Sequence, residues 1–349
     1  MNQSHDEDEK RLLILSGKDV DEILDGISIN DLIANQTDVF STYSSQNENR
    51  WESPIRTTIN SSAHTHLFMP SRNEDQVTIK CVAVPKPGGN ATGLPATGLV
   101  FHPTKGQTKV IINVAQLTGV RTAAGCLSAS IAMQTTKTPD KTKDGNIVIF
   151  GTGMQAKWHA RLFVGYYRLG KVTFITTSAQ KVKEAKASLQ QQLPKETQVD
   201  VLLQDSPEMI TVLNEAHFIC GCTPSTEPRF AWDKVRLRDD VHFSLIGSYK
   251  SHMQEVPAKA VERAASENAL SVDSIEACSH EAGDLLKSST SPKDWQEIGK
   301  IVLNKNSQDV SDKFSMFKSV GFALQDTAIF NLVVKHAEAK GIGKKVDFY

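Results

Sequence analysis

The stretch NIVIFGTGMQA, residues 146–156, decides the fold of this chain because it predicts a strand, a tight turn and a helix in direct succession. The apolar residues Ile147–Phe150 are typical of a buried strand. Two glycines then mark a turn, and the residues from Met154 onward predict a helix that ends near Gly170.

The turn has the pattern Gly-x-Gly-x-x-Ala, with its fixed positions at Gly151, Gly153 and Ala156. The first glycine of such a pattern permits the tight turn, the second lets backbone amides approach a pyrophosphate, and the alanine keeps the helix close to the strand. Because a strand precedes it and a helix follows it, the pattern predicts a dinucleotide-binding turn; a purely structural glycine turn is the alternative. The residues expected to contact the dinucleotide are Gly151, Thr152, Gly153, Met154 and Gln155.

The chain after this turn continues to alternate between predicted strands and helices. The predicted strands are Val172–Thr176, Val199–Leu203 and the apolar stretch at 217–223, and helical stretches at 178–193 and 207–215 separate them. Alternation of this kind predicts a parallel sheet with right-handed helical crossovers.

The first 134 residues have a different character. A short strand at 12–15 and two helical patterns within 17–43 are followed by β-branched runs separated by turn residues. The predicted strands of this half are Thr57–Asn60, Val77–Val84, Leu99–Phe101 and Lys109–Val114. They predict an antiparallel sheet, followed by a helix over Arg121–Met133 and a polar boundary segment at 135–145.

The overall composition limits the classes of partner. The 349 residues carry a formal net charge of −1, which argues against nucleic acid or an anionic membrane as the main partner. The chain has no apolar run of about twenty residues, and the acidic start MNQSHDEDEK lacks the features of a secretory signal, so we expect a cytoplasmic protein.

Five scattered cysteines predict thiols rather than disulfides. No metal site is expected, since His64 and His66 have no acidic or cysteine partner nearby.

The residues after the second predicted strand of the dinucleotide half bear on the choice of cofactor. An acidic side chain at this point selects NAD, but Thr177 and Ser178 stand here, with Lys181 and Lys183 close behind. Small hydroxyls and cations suit a 2′-phosphate, so the sequence favours NADP over NAD. A solvated helix face is the alternative explanation of the lysines. Farther on, the loop that holds Thr223 and Ser225 either touches the nicotinamide or ribose or is an ordinary turn.

Three basic residues of the first half have unusual positions. Lys80 shares a strand face with Val82 and Val84, so it lies either at a wet sheet edge or buried beside an anion. Arg121 is expected to open a helix, where a cation is unfavourable unless it is exposed or faces a bound anion. Arg56 begins a strand run, and a guanidinium suits a carboxylate.

Several segments, in order and over most of the chain, resemble the ornithine cyclodeaminase/mu-crystallin family, which includes alanine dehydrogenases and ketimine reductases. The segments are SPIRTTIN (53–60), IKCVAV (79–84), GNATGLPATGLVFHPTKGQ (89–107), LTGVRTAA (117–124), GTGMQAKWH (151–159), CTPSTEP (222–228), LIGSYKSHMQEV (245–256) and MFKSVGFALQD (316–326).

The resemblance implies an α/β protein of two domains. One is a Rossmann-like parallel-sheet domain for the cofactor, expected at 135–324. The other is a discontinuous α+β domain for substrate binding and dimerisation, expected at 1–134 with 325–349. It implies a homodimer in which Arg56, Lys80 and Arg121 hold the carboxylate of a small substrate, with Lys80 and Arg121 as catalytic residues. It also adds Ser248 to the cofactor-binding residues Thr177, Ser178, Lys181, Thr223 and Ser225.

One departure from the family's pattern separates the functional hypotheses. Ornithine cyclodeaminases have an aspartate where this chain has Tyr249, and a tyrosine hydroxyl does not ionise readily at neutral pH. The favoured hypothesis is therefore an NAD(P)-dependent oxidoreductase acting at the Cα of a small amino acid or cyclic imino acid. The alternatives are a cyclodeaminase-type lyase and a non-catalytic protein that binds NADPH and a small ligand.

Overall fold

The computed structural model describes residues 10–45, 50–86, 94–304 and 313–349, so the first residues of the family-like segment 89–107 lie outside it. The chain divides into two units, Met1–Arg121 with Phe322–Tyr349 and Thr122–Gly321. Within the described ranges, no helix has the length and apolarity that crossing a membrane requires.

The described helices are α1 Gly17–Asp25, α2 Ile29–Ser44, α3 Leu117–Met133, α4 Met154–Tyr167, α5 Ala179–Gln190, α6 Pro207–Glu215, α7 Ala258–Ser266, α8 Ile275–Glu281, α9 Gly283–Leu286, α10 Ile298–Leu303 and α11 Ala323–Lys340. The described strands are β1 Arg11–Leu15, β2 Thr57–Asn60, β3 His64–Arg72, β4 Val77–Pro85, β5 Ala96–Phe101, β6 Thr108–Asn113, β7 Asn146–Phe150, β8 Lys171–Thr176, β9 Gln198–Leu203, β10 Phe218–Gly221, β11 His242–Leu245, β12 Leu270–Val272, β13 Gln296–Glu297, β14 Ser315–Lys318 and β15 Lys344–Asp347.

The sheet of the first unit has the order β15-β1-β6-β5-β4-β3-β2. Its neighbouring strands run antiparallel except for β1 and β6, which are parallel. The predicted antiparallel sheet is therefore confirmed, with one parallel pair added. The sequence reasoning missed β3, whose Pro70 and two histidines weaken the strand pattern, and it also missed β15.

Helix α11 packs on one face of this sheet, against β3 and β4 and beside α1 and α2. Gly98 of β5 makes room for it, because a Cβ on Gly98 would lie 2.6 Å from the ring of Phe330 in α11. Close approach of α11 brings its polar residues against the strand that carries Lys80. The helix begins at Ala323, close to residue 325, where the second segment of this domain was expected to begin.

The sheet of the second unit is wholly parallel, with the order β13-β12-β14-β11-β10-β7-β8-β9. The alternation of strands and helices predicted this arrangement, and the expected Rossmann-like domain is confirmed. The chain runs outward from β7 through β8 to β9 and then returns to place β10 on the other side of β7. Open α/β sheets bind ligands at such a reversal, beyond the carboxyl ends of the strands.

Two boundaries differ from the predicted ones. The domain prediction divides the chain after residues 134 and 324, whereas the structure divides it after Arg121 and after Gly321. The first division falls inside α3, which begins at Leu117 rather than at Arg121. The prediction that Arg121 opens a helix was therefore wrong: Leu117 and Val120 are fully buried, and their packing extends the helix by one turn.

Candidate active site

Lys80 lies in β4 between Met69 of β3 and Gly98 of β5, on the sheet face that α11 covers. Its side chain is only 3% exposed. Of the two positions that the sequence allowed, a wet edge or a buried place beside an anion, the structure shows the second.

The anion beside Lys80 is Asp326 of α11. The Nζ atom of Lys80 lies 2.6 Å from Oδ2 of Asp326, and Nε of Arg121 lies 3.4 Å from Oδ1. Arg121 also donates a hydrogen bond of 2.9 Å to the amide oxygen of Gln325, and Gln325 donates one of 3.2 Å to Gln36 in α2. Two cations, one carboxylate and two amides thus form a buried network in the first unit.

Arg56 precedes β2 and is half-buried. Its charge, together with that of Arg121, acts on Lys80. We call Arg56, Lys80 and Arg121 the cationic cluster. Lys80 and Arg121 share the one carboxylate of Asp326, so these two cations together carry one more positive charge than Asp326 offsets, which suits an organic carboxylate. The structure brings together the three basic residues that the sequence singled out.

The environment of Lys80 lowers the pKa of its ammonium group to about 8. Burial is the main cause, because it penalises the charged form, and the nearby charges of Arg121 and Arg56 act in the same direction. Asp326 opposes them by stabilising the ammonium. A lysine with such a pKa gives up and regains a proton near neutral pH.

Sequence reasoning did not identify the role of Asp326 or of Gln325. Both lie in a long apolar stretch of α11 and are about 1% exposed. Adjacent amide and carboxyl side chains in a buried helix need polar partners, and this is the signal that was available in the sequence.

The glycine-rich turn follows β7 in the second unit. Gly151 has a φ of +110°, a conformation that L-residues with a side chain rarely adopt. Its amide donates to the carbonyl of Ile175 at 2.8 Å, and an added Cβ would lie 3.0 Å from the carbonyl oxygen of Cys222. Gly151 therefore allows both the turn and its close approach to the loop after β10.

The second glycine leaves open space for a ligand. Gly153 is the N-cap of α4, and a Cβ built on it would meet no atom within 4 Å. Met154 and Gln155 form the first turn of α4, whose leading amides have no acceptor within the helix. Thr152 lies between the two glycines. An uncovered helix start beside a glycine fits a pyrophosphate.

The residues proposed to contact the cofactor ribose lie at the end of β8. Thr177 and Lys181 are exposed, and Ser178 is half-buried. Ser178 caps α5, because its hydroxyl accepts a hydrogen bond of 3.3 Å from the amide of Lys181.

The other three predicted cofactor residues form hydrogen bonds within the protein. The hydroxyl of Thr223 donates to Glu255, that of Ser225 donates to the carbonyl of Glu227, and that of Ser248 donates to the carbonyl of Met253. Their hydroxyls thus shape the loops after β10 and β11.

Glu255 stands at the centre of these bonds, and the sequence reasoning gave it no role. The residue is 1% exposed, and its carboxylate accepts from the amides of Thr223, Gly247 and Ser248. The backbone amide of Glu255 donates to Asp284, which forms a fully buried ion pair of 3.1 Å with Lys318.

The sequence profile of the ornithine cyclodeaminase/mu-crystallin family matches residues 17–341. The chain belongs to this family.

Several proteins are similar to nearly the whole chain. A Delta(1)-pyrroline-2-carboxylate reductase of Bacillus cereus is 26% identical over 336 residues, which cover 92% of this chain and 96% of the relative. The structure of Thermococcus litoralis Delta(1)-pyrroline-2-carboxylate reductase in complex with NADH and L-proline has a TM-score of 0.81 and 20% identity, covering 96% and 100% of the two chains. An archaeal alanine dehydrogenase dimer with bound NAD has a TM-score of 0.79 and 18% identity, covering 97% and 100%.

Tyr249 stands at the position where an aspartate is expected in a cyclodeaminase. Tyr249 is half-buried in the segment after β11, and Nζ of Lys250 lies 5.9 Å from its ring centre. In the part of the chain that the structure describes, histidine, cysteine and acidic side chains form no group of three that could hold a metal ion. The first unit thus holds two buried cations beside one carboxylate, and the second unit, taken by itself, holds a glycine-rich turn at the start of a helix.

Proposed function

We propose that this chain is an NAD(P)-dependent oxidoreductase that acts at the Cα of a small cyclic imino acid or amino acid, as a ketimine reductase does. The observation that carries the proposal is the cationic cluster, in which Lys80 and Arg121 lie buried beside the carboxylate of Asp326. Membership of the family and the similarity to the Bacillus cereus relative, a reductase of Delta(1)-pyrroline-2-carboxylate, support the same reaction class.

In this reaction a reduced nicotinamide, when bound, supplies a hydride to the carbon of the C=N bond. We assign the binding of the substrate carboxylate to Arg121 and Arg56, since a guanidinium pairs with a carboxylate through two hydrogen bonds. Lys80 donates a proton to the imine nitrogen and regains one from solvent. One hydride and one proton convert the imine to an amine, so the two-electron reduction balances.

The proposal is tested by following cofactor oxidation with a panel of cyclic imino acids and of α-keto acids supplied with ammonia. We expect turnover with at least one five- or six-membered cyclic imino acid that bears a carboxylate. Esters of the same compounds should react poorly, because they lack the charge that the cationic cluster binds. A folded protein that binds the cofactor but turns over no member of the panel would contradict the proposal.

For the cofactor we propose a nicotinamide dinucleotide, with NADP preferred over NAD. The support is the absence of an acidic residue at Thr176–Ser178 and the exposed lysine at 181, which suit a 2′-phosphate. Comparing kcat/KM for NADPH and NADH with the same imino acid decides the preference. A clear advantage for NADH refutes the preference without affecting the proposed reaction.

We further propose a homodimer built through the first unit. On the sheet face opposite Lys80, the half-exposed residues Ile14, Ile111, Leu99 and Ile79 lie side by side across four strands. A contiguous apolar stripe on a sheet is typical of an interface. The similarity to the alanine dehydrogenase dimer favours a second copy of this chain as the occupant.

A further inference from the structure

The carboxylate of Glu255 bonds to two different loops of the second unit. Its Oε1 accepts from the amide of Thr223 at 2.8 Å and from the hydroxyl of Thr223 at 3.0 Å. Its Oε2 accepts from the amides of Gly247 at 2.6 Å and of Ser248 at 3.2 Å. One side chain thus ties the loop after β10, which we call the 222–225 loop, to the loop after β11, which we call the 247–249 loop.

Glycines around this carboxylate keep the space that it needs. A Cβ on Gly221 would lie 2.8 Å from Oε2, and a Cβ on Gly247 would lie 2.5 Å from Oε1 of Glu255. A Cβ on Gly247 would also collide with the carbonyl oxygen of Thr223. The two loops therefore pack directly on the carboxylate.

The 222–225 loop also contacts the dinucleotide turn. Gly151 lies so close to the carbonyl of Cys222 that a side chain on it would be crowded, and the amide of Cys222 donates to Phe150 at 3.0 Å. A continuous series of contacts runs from Glu255 through Thr223 and Cys222 to Gly151. A change at Glu255 consequently reaches the turn that is proposed to hold the pyrophosphate.

We propose that Glu255 is a positioning residue for the cofactor, whose ionised carboxylate holds the 222–225 and 247–249 loops in the geometry that binds a nicotinamide dinucleotide. The inference rests on the proposed function, because it takes the Gly151 turn and these loops as the cofactor site. It adds a residue that reaches the cofactor only through the backbone of both loops.

Ionisation of Glu255 should control this arrangement. Both Oε2 contacts are backbone amides, which can only donate, so a proton on Oε2 would remove them. Burial and the charge of Asp284 raise the pKa of Glu255 to about 7, while Lys318 and the amide donors oppose the rise. The charge of Glu255 also helps to raise the pKa of the thiols of Cys220 and Cys222, although burial is the main cause of that rise. Cofactor affinity should therefore fall as the pH drops through about 7 and be constant above it.

The test measures the Kd of NAD+ by calorimetry across this pH range for the full chain and for Glu255→Gln. NAD+ is the probe because it lacks the 2′-phosphate, a group that titrates in the same range. In the glutamine variant an NH2 group would face backbone N–H groups, so hydrogen bonds to these amides would be lost. We therefore expect a Kd about tenfold higher at neutral pH and no pH dependence of the Kd. The KM for the cofactor should change more than kcat. Glu255→Asp keeps the charge and should recover part of the affinity.

Glu208→Gln, an exposed change on α6, is the matched control and should behave as the unaltered protein. A folded Glu255→Gln variant with unchanged Kd and an unchanged pH profile overturns the inference. If that variant does not fold, the pH series of the unaltered protein still tests the inference, since an NAD+ affinity that is constant through pH 7 overturns it as well. If the unaltered protein binds NADP+ and not NAD+, the same comparison is made with NADP+, and a Kd that Glu255→Gln leaves unchanged overturns the inference. An unaltered protein that binds neither dinucleotide refutes the proposed function itself, which is a separate outcome.

Discussion

At the scale of single residues, Lys80 has two tasks that substitution can separate. It neutralises buried Asp326, and in the proposed reaction it protonates the imine nitrogen. We expect Lys80→Met to lower kcat/KM for imine reduction by about 10²–10⁴-fold through loss of the proton donor. The same change should lower the free energy of unfolding by about 3–5 kcal/mol, because it leaves a buried carboxylate without its nearest cation.

The double variant Lys80→Met with Asp326→Asn is the control for this pair. It removes both charges, so urea denaturation should show stability recovered relative to Lys80→Met alone, while activity stays low. If activity recovers together with stability, Lys80 is a structural cation and not the proton donor.

The pH dependence of Lys80 follows from the same burial. Only the protonated lysine donates, and its pKa is lowered to about 8, so kcat/KM for reduction should fall as the pH rises above about 8. Stability has the opposite trend. Between about 8 and the ordinary value of 10.5 the unfolded chain binds a proton that the native chain has lost, so this group's contribution to stability rises with pH in that window.

The cationic cluster shows how far residue-level reasoning reaches. A basic residue on an apolar strand face restricts Lys80 to two environments, and the family resemblance selected the residues that share its site. The sequence does not say which anion lies beside Lys80, since Asp326 is 246 positions away and only the packing of α11 brings it there. The role of Glu255 was missed for a similar reason, because its hydrogen-bond partners are mostly backbone amides, which have no signature in a sequence.

At the scale of elements, the turn between β7 and α4 allows structure and binding to be tested apart. Gly153→Ala places a methyl group in open space at an ordinary φ of −81°, so its cost in stability should not exceed about 1 kcal/mol. The methyl group would occupy the space proposed for the pyrophosphate, and we expect at least a tenfold rise in the Kd for NAD(P)H, measured by fluorescence titration.

Gly151→Ala provides the comparison for Gly153. Its φ of +110° and the carbonyl of Cys222 at 3.0 Å predict a loss of both stability and affinity. Unchanged cofactor affinity in a folded Gly153→Ala variant would place the pyrophosphate elsewhere.

The helices and strands were predicted well where a single pattern of apolar residues dominates the sequence. The strands and helices from β7 to β10 follow the pattern of apolar runs, because a parallel sheet buried on both faces leaves few polar residues in its strands. β3 was missed because its residues are mostly half-exposed and mixed in polarity, so they produce neither strand alternation nor a continuous apolar run. Its place in the sheet comes from pairing with β4 along nine residues.

At the scale of the whole molecule, the half-exposed stripe of Ile14, Ile111, Leu99 and Ile79 is the face that we propose as the dimer interface. Leu99→Glu places a charge in the middle of this stripe, flanked by Ile79 and Ile111 on the neighbouring strands. Burying an unpaired carboxylate in an apolar interface costs several kcal/mol, so this variant should be monomeric at concentrations where the unaltered protein is dimeric. Light scattering coupled to size-exclusion chromatography measures the mass directly.

Leu303→Glu is the matched control, since Leu303 is a leucine that is 53% exposed and lies in α10 of the second unit, outside the stripe. It should leave the mass unchanged. Circular dichroism must show that both variants are folded, because Leu99 also packs within its own sheet. A Leu99→Glu protein that is folded and still dimeric would exclude this face as the interface, and the stripe would then need another occupant.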